Sequence, residues 1–282
     1  MHYQRPIRAW RIGDTTYELG RRTWVMAVLN LTPDSFYAPS RTPFDPAAVI
    51  ARAESALSAG ADILDLGAES TRPGANPLSP EDEQARLLPA LVALRRHFPR
   101  ALLSADTRHP ATALRALDAG ADIINDVTGS PEAYGHTHGG LVLMHHRGDF
   151  ATMHRQPPLP DPAATVEAGL EAILANALSV GIAPERIVLD PGFGFGKNLD
   201  ENFPLLASLD RFHRFERPLL VGLSRKSFLR TTPAQPPEDR LPASLAAATA
   251  AVLAGAHIVR THDPAPTRAA LSLPDHLVSP GS

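Results

Sequence analysis

Three segments repeat one arrangement of apolar and polar positions: SAGADILDLG (58–67), DAGADIINDV (118–127) and LAGAHIVRTH (253–262). Each follows an Ala/Leu-rich stretch, breaks at a glycine and enters a β-branched run. The pattern predicts a helix ended by a left-handed glycine (Gly60, Gly120, Gly255) that feeds a buried strand. SVGIAPERIVLD (179–190) is a stretched variant using Gly181. Recurrent helix–glycine–strand units predict a parallel sheet.

Eight apolar runs read as strands, ending near Asn30, Leu66, Asp106, Asp126, Met144, Asp190, Leu223 and Thr261. Helical segments lie between them, among them 46–59, 80–97, 163–180 and 241–254. A mean spacing of about 33 residues suits a βα unit, and eight units predict an α/β fold of the (β/α)8 TIM-barrel type. Ahead of the first strand, RAWRIGDTTYELG (8–20) alternates around a Gly-Asp turn and predicts a β-hairpin closing the barrel's N-terminal end. No linker divides the chain, so residues 1–282 are expected to form one domain: hairpin 8–20, barrel 25–272 and tail 273–282. TGSPEAYGHTHGG, between Asn125 and Met144, is too short for a full helix and predicts a single turn or no helix there.

Composition narrows the function classes. Apolar residues make up 44% of the 282 positions and charged residues 20%, an ordinary globule with a real core. A net charge of −3 offers no basic field for nucleic acid. The absence of cysteine removes disulfides, thiolate nucleophiles and cysteine-zinc sites. No apolar leader or membrane-length run is present in the sequence, so the expectation is a cytoplasmic protein acting on small molecules without a membrane. His136 and His138 in YGHTHGG lack a third ligand at useful spacing and read as a solvated turn.

LDPGFGFGKN (189–198) resembles a phosphate loop and is not one. The P-loop template puts glycine where Pro191 stands, and Asn198 replaces the magnesium-binding hydroxyl; the dinucleotide pattern fails at positions 197 and 199. Its meaning comes from the barrel, whose active face lies at the C-terminal strand ends. Those ends carry Asn30, Asp65, Asp106, Asn125, His145, Asp190, Lys226, and Arg260 with His262. So many semi-buried polar groups are costly without partners, and a ligand with many hydrogen-bonding edges would satisfy them. Carboxylates and an amide suit a flat amino-oxo heterocycle, whose adjacent N–H groups one carboxylate can accept. Arg260 and His262, two apart on a strand, share a face and suit a phosphate or diphosphate. Asp190 and Asp106 could instead cap strands or pair with structural arginines. For Asp65 and Glu69, holding the second loop and touching a ligand are equally open readings.

The motifs VLNLTPDSF (28–36), DLGAESTRPGA (65–75), ADTR (105–108), IIND (123–126), LMHHRG (143–148), LDPGFGFGK (189–197), GLSRKSF (222–228) and IVRTHD (258–263) together resemble those of the dihydropteroate synthase family, in its order. The resemblance spans residues 25–263 and implies a (β/α)8 barrel. It also implies a transferase of folate biosynthesis joining 6-hydroxymethyl-7,8-dihydropterin diphosphate to 4-aminobenzoate, with release of pyrophosphate. By motif position, Asp106, Asn125, Asp190 and Lys226 would hold the pterin, with Met144 and Phe195 lining its pocket. Asn30 would meet Mg²⁺, Arg260 and His262 would take the diphosphate, and Thr71, Arg72, Pro73 and Ser227 would border the aminobenzoate. Lys226, Arg260, Asp106 and Asp190 are the expected catalytic set, and a homodimer through the late helices is implied. This chain departs from the family pattern in its first loop, YAPSRTPFDP (37–46). Two other functions compete: a pterin-dependent corrinoid methyltransferase, which would not need TPDSF and STRPG, and a non-catalytic pterin-binding paralogue.

Overall fold

The structure, a computed structural model, describes residues 3–31, 45–69, 77–148, 152 and 156–281. The chain starts with β1 (Tyr3–Pro6) and a hairpin of β2 (Arg8–Ile12) and β3 (Thr15–Leu19). Eight barrel strands and their connecting helices follow: β4 (Trp24–Asn30), α1 (Pro46–Ser58), β5 (Ile63–Gly67), α2 (Pro80–His97), β6 (Leu102–Asp106), α3 (Pro110–Asp118), β7 (Ile123–Asp126) and β8 (Gly140–Met144). The second half comprises α4 (Pro162–Ser179), β9 (Ile187–Asp190), α5 (Asn202–Ala207), β10 (Leu220–Gly222), α6 (Leu241–Leu253), β11 (Ile258–Thr261), α7 (Pro264–Leu277) and β12 (Val278–Gly281). Neighbouring strands run β10-β11-β4-β5-β6-β7-β8-β9. A parallel bridge between Leu189 and Leu219 joins the two ends into a barrel. The predicted strand ends hold to within a residue, with β5 and β10 stopping at Gly67 and Gly222.

Local chemistry explains the helix borders. Six helices (α1, α2, α3, α4, α6 and α7) place proline at the first turn, where its missing N–H has no helical partner to lose. Asp45, Ser79 and Asp161 cap three of them by accepting backbone N–H bonds. At the other ends, Gly60, Gly120, Gly181 and Gly255 have φ of 86°, 105°, 84° and 94°, the left-handed caps expected from the repeats. The polar residue two places after three of these glycines has a shared task. Asp62 accepts from Val25 N (2.9 Å), Asp122 from Leu103 N (2.8 Å), and His257 Nδ1 from Leu219 N (3.1 Å). Each satisfies the N–H of a neighbouring strand's entry at the barrel's lower rim. Between β7 and β8 the chain makes only the 3₁₀ turn Pro131–Tyr134, as the short connection predicted.

Barrel strands show every second residue to the interior. Met26, Ile63, Ile123, Val142, Val188, Leu220 and Ile258 meet there and form an apolar floor with Trp10, Ile12 and Leu19 of the hairpin. Trp10 is fully buried, and its indole N–H donates to the Arg186 carbonyl at 2.9 Å. The hairpin therefore plugs the N-terminal end, and the chemistry is confined to the other.

One expectation needs correction. The segment 273–282 is not a tail: α7 continues to Leu277, and β12 pairs in parallel with β1, Tyr3 opposite Val278 and Pro6 opposite Gly281. Arg5 fastens this layer from a fully buried position. Its guanidinium donates to the Gly20 carbonyl (2.8 Å), Thr23 Oγ1 (2.7 Å), the Ala256 carbonyl (3.2 Å) and Asp275 Oδ1 (3.0 Å). Asp275 also accepts from Thr23 N and Thr23 Oγ1. Asp275→Ala leaves a buried guanidinium without its counter-charge. The expected loss is about 3 kcal/mol of unfolding free energy, read by urea denaturation; a loss indistinguishable from zero would deny the pair its structural role.

Candidate active site

Two residues above the floor, the inward positions change character. Ile63 gives way to Asp65, Leu102 to Ser104, Ile123 to Asn125, Val142 to Met144, Val188 to Asp190 and Ile258 to Arg260. One step higher stand Asn30, Gly67 and Asp106. Strand register brings these together: Asp106 lies opposite Asn125, and Met144 opposite Asp190.

Arg260 links the two polar layers. Its Nε donates to Asp65 Oδ2 at 2.6 Å, and one terminal nitrogen donates to Asp106 Oδ2 at 2.5 Å. Asp65 is fully buried, and it also accepts from Ser104 Oγ (2.6 Å) and Asn125 Nδ2 (3.3 Å). A single guanidinium thus faces two carboxylates and cannot neutralise both. Burial pushes the Asp106 carboxyl up to about 7; Arg260 pulls it down, while Asp65 and Glu83 push it further up. For Arg260, burial opposes the charge, yet Asp65 and Asp106 outweigh burial and raise its pKa. Gly67 leaves room for this arrangement, since a Cβ there would stand 3.3 Å from Asp106 Oδ2.

The glycine-rich stretch after β9 shapes the opposite wall. Asp190 Oδ1 accepts from Gly192 N at 2.7 Å, and burial raises its pKa. Gly192 has φ of 68°, and a Cβ would fall 1.9 Å from the His145 carbonyl oxygen, so only glycine fits this turn. Lys197 closes the loop from beneath. Its Nζ lies 2.8 Å from the carbonyls of both Pro191 and Gly192, 3.0 Å from that of His145 and 2.9 Å from His145 Nδ1. Burial lowers the Lys197 pKa well below its usual value. Burial, then the nearby Lys197, hold the His145 ring at about 2, so it stays neutral. The His145 ring packs against Gly169 of α4, whereas His146 bonds the carbonyls of Gly148 and Thr128. His145 is therefore a partner of the loop lysine.

Lys226, just past β10, sits 4.0 Å from the centroid of the Phe195 ring. Burial and Arg260 lower its pKa to about 8, against the attraction of Asp190 and Asp106. The preceding Arg225 has φ of 59°, unusual for a residue with a side chain. Three contacts hold it: Arg225 N donates to Ser244 Oγ, its guanidinium pairs with Asp263, and its carbonyl accepts from Arg240. The loops bearing Lys226 and His262 are thereby tied together. His262 Nδ1 is 3.1 Å from Ser224 Oγ. Burial, then Arg260 and Arg225, press its pKa to about 3. Among these cations the His262 ring is neutral.

Of the sequence-predicted residues, Asp106, Asn125, Met144, Asp190, Phe195, Lys226, Arg260 and His262 lie at or above the barrel mouth, with Asn30 half-buried at the end of β4. Ser227 is exposed in the short turn Ser227–Leu229. Thr71, Arg72 and Pro73, with most of the unusual loop 37–46, fall outside the described residues. Glu69 takes the loop-holding reading, accepting from Arg108 Nε (2.6 Å) and Leu78 N (2.7 Å). Sequence reasoning missed two groups: Asp65 as a hub beneath the site and Lys197 as a loop clamp. The signal for Asp65 was a charge in mid-strand within ILDLG, where a buried parallel strand should be apolar throughout.

Residues 26–262 match the family described as pterin binding enzyme. Dihydropteroate synthase of Escherichia coli strain K12 is 42% identical over 244 residues, covering 85% of this chain and 86% of the relative. Among solved structures, the Burkholderia cenocepacia dihydropteroate synthase complexed with 7,8-dihydropteroate is 39% identical. It has a TM-score of 0.83 and covers 95% of both chains. The Thermus thermophilus enzyme in complex with 4-aminobenzoate is 39% identical with a TM-score of 0.84, covering 96% of this chain and 100% of that one.

The lysine clamp can be tested without any ligand. Lys197→Met keeps the length of the side chain and strands several buried acceptors, at an expected cost of about 2–3 kcal/mol. Hydrogen exchange should show the amides of 191–196 opening faster than the rest of the barrel. Unchanged protection in that loop would remove Lys197 from this role.

Proposed function

The chain belongs to the dihydropteroate synthase family of pterin binding enzymes, and from that premise we propose how its residues divide the work. It condenses 6-hydroxymethyl-7,8-dihydropterin diphosphate with 4-aminobenzoate, giving 7,8-dihydropteroate and pyrophosphate. The observation that carries this reading is the ring of acceptors and donors around one barrel mouth: Asp106, Asn125, Asp190 and Lys226, with Arg260 between. Asp190 turns one oxygen to Gly192 and keeps the other for the amino and ring N–H donors of a pterin. Asn125 and Asp106 serve its far edge, Lys226 donates to its ring acceptors, and Met144 and Phe195 supply apolar walls.

The bond that breaks joins the exocyclic methylene carbon to the diphosphate oxygen, which leaves with the electron pair. The arylamine nitrogen then forms the C–N bond and releases a proton to pyrophosphate or solvent. Arg260 meets the charge growing on the leaving oxygens, and His262 adds a hydrogen bond. Thr71, Arg72, Pro73 and Ser227 border the arylamine in this reading. The arylamine is nucleophilic as it stands, so no strong base is required.

Asn30 offers one hard carbonyl oxygen, and no cluster of three or more acidic, His or Cys groups gathers among the described residues. That donor set suits a Mg²⁺ ion that takes most of its ligands from a diphosphate and water. When bound, Mg²⁺ would supply charge neutralisation on the diphosphate. A homodimer across α6 and α7 is part of the proposal, supported by the exposed Leu273 and Leu277 on α7. No helix among the described residues is long and apolar enough to cross a membrane.

Pyrophosphate release from the pterin diphosphate tests the activity. Release that depends on 4-aminobenzoate is expected; a methyltransferase or a non-catalytic binder would give none. In the same assay, Asp190→Asn should lose about 2–4 kcal/mol of transition-state stabilisation, since an amide turns an N–H toward a ligand donor. A variant within a few-fold of the parent kcat/KM would remove Asp190 from the site.

The pH profile gives a separate check. Asp106 must be ionised to accept from the pterin, so kcat/KM should rise with pH through about 7. Lys226 must stay protonated to donate, so activity should fall above about 8. A bell with its top between these values is expected, and a flat profile between about pH 6 and 9 would contradict both assignments.

A further inference from the structure

Asp65 is absent from the contacts expected of a substrate. It lies in the middle of β5, fully buried, one layer below the mouth. Yet it holds groups from three other strands: Ser104 of β6, Asn125 of β7 and Arg260 of β11. Two of the three, Asn125 and Arg260, are residues that the reading above assigns to the substrate. Arg260 is gripped asymmetrically, with Nε on the inaccessible Asp65 and one terminal nitrogen on Asp106, whose side chain is 16% exposed. Only the Asp106 contact can be reached by a ligand.

We propose that Asp65 is a positioning residue that holds Arg260 by Nε, so that the guanidinium's outer arm exchanges between Asp106 and the substrate's diphosphate. This deepens the reading of the reaction given above. The heterocycle and Arg260 compete for Asp106 Oδ2. When a ring N–H takes that oxygen, the outer arm is displaced, but the Nε contact keeps the planar group in the site, with its freed donors available to an anion. Filling the ring pocket therefore prepares the diphosphate pocket, and the reverse holds by linkage. An arginine without Asp65 would either fold fully onto Asp106 and block the ring, or swing away with the anion.

Asp65→Asn tests this, because the amide preserves shape and removes the charge. Asp106 faces Arg260 from β11, Asp65 from β5, Glu83 from α2 and Lys226 from the loop after β10. With Asp65 neutral, the whole guanidinium charge falls on Asp106. The expected result is a kcat/KM lower by roughly tenfold or more, together with an acid limb moved to lower pH by about half a unit or more. Removing the Asp65 charge moves the limb by itself; a merely structural role would leave the mutual strengthening of the two ligands intact. In an Arg260→Lys background most of the Asp65→Asn effect should vanish, as expected of residues acting through one contact. Pyrophosphate and bare hydroxymethylpterin should strengthen each other's binding in the parent protein and not in the variant.

A further readout needs no Asp65 variant and covers the case in which that one does not fold. The Arg260 Nε–H resonance, identified by its loss in Arg260→Lys, should stay protected from exchange when pterin and pyrophosphate are added. Loss of that protection overturns the proposal, as does an unmoved acid limb with additive mutations. A parent protein that releases no pyrophosphate would refute the reaction instead, and the resonance and the two-ligand coupling would still judge Asp65.

Discussion

A closed parallel barrel admits only alternate residues of each strand to its interior, and strands of three to seven residues give few inward positions apiece. In this chain the first of them goes to the floor: Met26, Ile63, Ile123, Val142, Val188, Leu220 and Ile258 under the Trp10 plug. The next carries Asp65, Asp190 and Arg260, with Asp106 one step higher on β6 and Lys226 just past β10. That two-residue step sets the distance from dry floor to polar mouth, and it explains why Asp65, Asn125, Asp190 and Arg260 occupy equivalent positions on different strands. The hairpin and the β1–β12 layer serve the same arrangement by sealing the end that carries no chemistry.

Within this small volume the charges are kept apart by geometry. Two carboxylates share one guanidinium at the β5–β6 side, and a lysine sits over an aromatic face on the other. Burial disfavours all of these ions, and each remains because a partner of opposite sign stands near. The consequence is a pair of groups, Asp106 and Lys226, whose proton affinities are drawn toward neutrality from opposite directions. His145, His257 and His262 are all held well below their usual pKa, so the chain's buried imidazoles are neutral hydrogen-bonding parts.

Much of this was legible in the sequence, for an identifiable reason. Strand termini, glycine caps and the polar residues at strand ends are encoded locally, so Asp106, Asn125, Asp190 and Lys226 could be placed from spacing alone. Properties that depend on which strands face each other across the barrel were not. Asp65 and Arg260 are 195 residues apart and meet only through closure. The clamp by Lys197 depends on a lysine folding back under its own loop, a contact that no local spacing encodes. The segment 273–282 looked like a tail because a short edge strand has no pattern of its own; its partner at residues 3–6 defines it. Asp62, Asp122 and His257 were seen as a repeat, but the N–H groups they satisfy belong to other strands.

The sequence contains 25 arginines and only two lysines, Lys197 and Lys226. The first is sealed among carbonyls; the second is half-buried at the mouth, with a pKa lowered to about 8. Amine-directed reagents therefore find, apart from the α-amine, a single side chain to acylate, and it is one partly in the free-base form under mildly alkaline conditions. Mass spectrometry of a briefly labelled sample would count that one adduct without mutagenesis. The chain carries a built-in covalent handle at the place where occupancy matters.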